Sequence, residues 1–213
     1  MKNHSFISKI LIFFTIFFVF MLPPVLQVTI KQDTFVEWNF SYSVLFTAIS
    51  MSLLLYIYSD LIKIREDRIS LFSKLACSLS SLCFLLIISV MINFLHIEGT
   101  EIAVQPPATF TSICICLINF LLSAFCEEVL YRFYAPEILF NILEKKIGKK
   151  AAFLISEVFV CVMFALGHRY AGIPAIINSI LGYAILRMNI KKTTSITMNT
   201  LVHFIYNLIQ LFC

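Results

Sequence analysis

Seven apolar runs occupy most of the chain: Ile7–Leu26, Tyr42–Ile62, Leu75–Leu95, Thr109–Arg132, Ala151–His168, Gly172–Met188 and Ile196–Phe212. About 20 apolar residues carry a helix across the hydrocarbon core of a bilayer. The last three runs are shorter, about 17 residues, a length that fits a locally thinned bilayer or shielding by neighbouring helices. Of the 213 residues, 60% are hydrophobic and only 13% charged, whereas a soluble domain carries about a quarter charged residues. The expectation is an all-α polytopic integral membrane helix bundle of about seven transmembrane helices, a single membrane domain over residues 1–213.

The first run resembles a signal peptide at its start, where Lys2 and Lys9 precede apolar residues. It is Phe-rich, ends in Pro23-Pro24 and lacks a small-residue cleavage site, so it reads as an uncleaved anchor. The charges between runs give an orientation. Lys2 and Lys9, then Lys63, Arg65, Arg68 and Lys74, then Lys145, Lys146, Lys149 and Lys150, then Arg187, Lys191 and Lys192 fall in the N-terminal tail and alternate connections. The other connections hold only Lys31 and Arg169. By the positive-inside rule the N-terminus is cytoplasmic and the C-terminus lies outside. The net charge of +4 belongs to these loops, so no nucleic-acid partner is expected; membrane lipids are. The seven cysteines form no CxxC pair and read as small buried filler, since disulfide frameworks belong to small secreted domains.

Polar groups inside the runs narrow the function. Glu127, Glu128 and Arg132 close the fourth run, where charged side chains in lipid cost a few kcal/mol each and are rarely incidental. Glu128 and Arg132 are four apart and share a helix face in the favoured acid-before-base order. Glu127 is turned by about 100° and has no local partner; a carboxylate so placed suits a general base near neutral pH. The alternative is a helix end whose acids reach the headgroups. His168 ends the fifth run one turn after Phe164, with Glu157 and Cys161 on the same face, a stripe that fits a cavity wall. Glu157 alternatively sits at the interface beyond the lysine cluster. His203 and Asn207 share a face, with Asn199 one turn earlier. They fit either interhelical hydrogen bonding or an oxyanion site. HExxH, GxSxG and Gly-rich phosphate loops are absent from the sequence. No cofactor is expected; zinc held by Glu127, His168 and His203 is the alternative, two His and a carboxylate being a catalytic zinc set.

These motifs in this order resemble the CPBP intramembrane metalloprotease family, also known as Abi or CAAX-protease and bacteriocin-processing proteins. The family pattern EExxxR, FxxxH, HxxxN/D is met by Glu127-Glu128 with Arg132, Phe164 with His168, and His203 with Asn207. The resemblance covers the C-terminal half, with 109–212 as the catalytic core, and departs at Phe133, where the family usually has Gly. It implies an endopeptidase related to the type II CAAX prenyl endopeptidases, glutamate-dependent despite the family's label. Residue by residue, Glu127 and His168 would activate a water, His203 and Asn207 would hold the oxyanion, and Glu128 with Arg132 would shape the site. Phe164 and Glu157 would help shape it. The substrate would be a peptide or the end of a membrane-associated protein. The Lys-, Phe- and Ile-rich, Gly-poor composition reads as bacterial, so the location is a cell membrane, expected to be a bacterial plasma membrane, and the role bacteriocin immunity or peptide maturation. The competing expectation is a non-catalytic immunity or transport protein using the same polar residues structurally.

One conflict accompanies this reading. At about 1.5 Å per residue, Glu127 and His203 fall near the cytoplasmic face and His168 near the outer face. A shared site requires a strongly tilted fifth span or a re-entrant stretch over Phe133–Ile147, which Pro136 permits.

Overall fold

The computed structural model describes residues 6–26, 38–58, 69–95 and 106–212. Every regular element among them is helical. An N-terminal unit comprises α1 (Phe6–Ile16), a π-helical stretch (Phe17–Met21) and α2 (Leu22–Leu26). Then come α3 (Tyr42–Ile57), α4 (Leu71–Phe94) and α5 (Phe110–Glu127). A π-helical segment, Glu128–Tyr134, joins α5 to α6 (Ala135–Ile147). α7 (Lys149–Gly167), a 3-10 turn (Arg169–Ala171), α8 (Gly172–Thr193) and α9 (Ile196–Phe212) complete the bundle.

Local sequence sets several of the starts. Ser41, Ser70 and Thr109 accept hydrogen bonds from Val44, Ser73 and Ser112 amides, and Thr109 with Ser112 forms a reciprocal capping box. Such caps satisfy amides that the first helical turn leaves free. Wherever they are described, the predicted runs fall on these helical units; 59–62, the end of the second run, lie outside the described residues. Four helices are long and apolar enough to cross a membrane: Leu71–Phe94, Phe110–Ile147, Lys149–Gly167 and Arg169–Thr193. Ile10–Leu26 and Tyr42–Ile57 are shorter apolar helices. The protein is thus an all-α, multi-pass membrane bundle. Of the residues that argue orientation, Lys2, Lys31, Lys63, Arg65 and Arg68 lie outside the described residues.

Two features differ from the sequence expectation. Phe133–Ile147 is neither a loop nor re-entrant: α5, the π segment and α6 run as one helix of 38 residues, Phe110–Ile147. Its Ile138 packs into the core, with Leu139 and Ile142 partly buried against it, the spacing of an amphipathic helix. The second is Arg187, grouped above with connecting charges because it ends an apolar run. It is instead buried within α8, which continues to Thr193.

Gly148 closes the hairpin between α6 and α7 with φ of +81°, a conformation that disfavours any residue with a Cβ. α6 and α7 then pack along each other. Gly148 is as far along the chain from Glu128 as from His168, so an antiparallel pair returns His168 to the level of the glutamates. α4 packs along α8, and α9 packs against α4 and α5. The core centres on the π segment, where Glu128 through Arg132 and Tyr134 are all buried.

Candidate active site

Pro136 accounts for the unusual winding of the segment that carries the acids. In an α-helix its amide would bond the Arg132 carbonyl, but proline has no N–H and its ring crowds that carbonyl. The chain answers with i→i+5 winding, as in the bond from the Ala135 amide to the Leu130 carbonyl. Wider winding brings residues five apart towards one face. Arg132 consequently reaches both glutamates: its Nη1 lies 3.6 Å from Glu128 Oε1 and 3.9 Å from Glu127 Oε2. Glu127, expected to lack a local partner, therefore faces Arg132 after all.

Glu128 is fully buried and is the centre of the polar network. Nδ1–H of His203 donates to its Oε1 at 2.7 Å, and Nδ2 of Asn199 donates to its Oε2. Asn199 also donates to the Leu186 carbonyl and accepts from Asn189 Nδ2 at 2.8 Å. The π segment, α8 and α9 are thereby tied through Glu128 and Asn199. Beneath the guanidinium of Arg132, Cζ lies 3.7 Å from the centre of the Phe164 ring, a desolvated cation–π contact. Phe164 thus has a definite task in the site.

Glu127 is the more accessible acid, with about a quarter of its side chain exposed (23%). Ser123 Oγ donates to its Oε1 at 3.4 Å, and Nε2 of His203 stands 3.8 Å from its Oε2. That Oε2 is buried with no hydrogen-bond partner. Glu127 and His168 line one cavity of about 850 Å³, whose walls include Tyr131, Phe164, Phe20 and Pro23. His168 is held there by its Nδ1, 2.9 Å from the Phe164 carbonyl, and by its ring packed on Phe164. The depth conflict is resolved by the hairpin, without a re-entrant loop.

Two predicted residues stand apart. Asn207 is half-buried one turn beyond His203 and makes no hydrogen bond among the described residues; Asn199, on the preceding turn, is the asparagine in the network. Glu157 does not line the cavity of Glu127. It accepts from both Nε and Nη2 of Arg187, from Lys191 and from Tyr183. Among the described residues no group of three His, Cys, Asp or Glu side chains is gathered as a metal site. Sequence reasoning missed Arg187 and Asn189; their signal was a strong donor pair at the end of an otherwise apolar run.

Residues 109–209 match the family described as Type II CAAX prenyl endopeptidase Rce1-like. That match covers the part of the chain that builds the polar network and most of the buried core. The match leaves out residues 1–108, including the N-terminal unit that walls the cavity. No curated protein and no solved structure shows significant similarity to the chain.

Proposed function

We propose that the protein is an intramembrane endopeptidase in which Glu127 is the general base. The observation that carries this reading is the cavity shared by Glu127 and His168, with the Glu127 carboxylate about a quarter exposed (23%) and flanked by Arg132 and His203. A water between these two side chains would lose a proton to Glu127 as its oxygen attacks the scissile carbonyl. Glu127 would then deliver that proton to the departing amine, so the cycle closes with the carboxylate restored. Glu128 accepts from Nδ1–H of His203 and so fixes the ring with Nε2 facing Glu127, where a protonated Nε2 would donate to the oxyanion. Asn207 would be the second donor, turning inward when substrate fills the cavity. Glu128 and Arg132 act by holding this geometry.

The apolar walls from Phe20, Leu22 and Pro23 favour an apolar stretch of a peptide or of a membrane protein's end as substrate. The lysines Lys145, Lys146, Lys149 and Lys150 are exposed around the hairpin tip and support a cytoplasmic N-terminus. A non-catalytic reading draws on the Glu128–Asn199–Asn189 chain, which alone accounts for buried polar residues as packing. Purified wild type and Glu127→Gln incubated with a mixed peptide library, including prenylated peptides, separate the two readings by mass spectrometry. Cuts by wild type that vanish in the variant are expected; equal cutting by both refutes Glu127 as base, and no cutting by either favours the non-catalytic reading.

A further inference from the structure

We infer that Arg187 is a positioning residue that clamps the π segment and so aims the two glutamates; this rests on the endopeptidase reading. Proline at 136 leaves the Arg132 carbonyl without its α-helical donor, in a core where an unpaired carbonyl is costly. Nη1 of Arg187, from α8, donates to that carbonyl at 2.6 Å. The guanidinium is in turn fixed from the other side. Glu157 accepts from its Nε and Nη2, and Glu137 accepts from Nη2 at 2.8 Å. Both acids lie on the α6–α7 hairpin, so one side chain locks α8, the hairpin and the π backbone together.

The geometry demands arginine. Three separate acceptors are met by a planar fork with donors on both edges, whereas a lysine ammonium is a single point that cannot span them. Arg187 touches neither glutamate of the EExxxR motif and does not line the cavity of Glu127 and His168. Its influence passes through the backbone of Arg132, whose side chain stands between Glu127 and Glu128.

Arg187→Lys tests the clamp. The variant keeps the charge opposite Glu157 and releases the carbonyl. With a peptide cut by wild type, kcat should fall by about 10²-fold, the scale of a small misplacement of reacting groups, while KM stays within about twofold. Hydrogen exchange should rise over Glu128–Tyr134 and not over α4. Wild-type kcat with unchanged exchange overturns the inference, as does a raised KM at unchanged kcat, which would place Arg187 in substrate binding. If wild type cuts nothing, exchange alone decides: a local rise upholds the clamp and only the peptidase reading fails. Should Arg187→Lys not fold, Glu157→Gln loosens the same guanidinium and must show the same local rise in exchange; its absence overturns the inference.

Discussion

Replacing Glu128 by Gln removes one charge and almost no volume at the most connected point of the bundle. The carboxylate accepts from His203 Nδ1 and Asn199 Nδ2 and faces Arg132 Nη1 at 3.6 Å. An amide has one accepting oxygen, and its NH₂ would meet a donor unless His203 moves its proton from Nδ1 to Nε2. That tautomer switch preserves the number of hydrogen bonds, so what is lost is charge. Hydrogen bonds to charged groups contribute about 1.5–3 kcal/mol and neutral ones about 0.5–1.5, a deficit of roughly 2–3 kcal/mol over two bonds. Arg132, only 1% exposed, also loses its nearer counter-charge, and breaking a buried pair from one side costs about 3–5 kcal/mol. These are overlapping views of one loss, so the expected destabilisation is about 3–5 kcal/mol. Reversible SDS titration of the purified protein in mixed micelles measures it, and ¹⁵N spectra of labelled histidine should show His203 passing to the Nε2–H form. A loss under about 1 kcal/mol with an unchanged His203 tautomer would refute the network as drawn.

Two further outcomes use the same titration. Phe164→Leu keeps an apolar side chain but removes the ring face under Arg132, and should cost about 2 kcal/mol. Thr194 holds φ of +54° just after α8, so Thr194→Gly should stabilise by about 1 kcal/mol, because a β-branched residue is strained where glycine is not.

What the sequence revealed follows from what it encodes locally. Helical segments were legible because length and apolarity alone decide them, and the described parts of the runs fall on helical units. The pairing of Glu128 with Arg132 was legible because spacing on a helix is local. Proline 136 was read as licence for a break, but its actual effect is a change of winding upstream. Only the neighbouring helix shows why: α8 presents Arg187 to the carbonyl that proline strands. For the same reason Glu157, assigned to His168's face by helix angle, serves a different cluster. A face is a direction, and what occupies that direction is a tertiary fact. Asn199 and Asn207 flank His203 by one turn each, and helical spacing gives no basis for preferring the one that reaches Glu128.

His168 shows how a single connection governs the reading of a site. Treated as a loop, Phe133–Ile147 makes α7 begin at the membrane face and puts His168 a bilayer's depth from Glu127. Treated as helix, the same residues carry the chain outward by about 1.5 Å each, and α7 must retrace that path before it passes the glutamates. The turn at Gly148 sets the two lengths equal, so the histidine arrives where the acids are. The FxxxH spacing then finishes the placement, because the carbonyl that holds His168 Nδ1 belongs to Phe164, the residue whose ring carries Arg132. One helical turn thus links the second motif to the first through a ring and a carbonyl, and the hairpin length makes that link reachable.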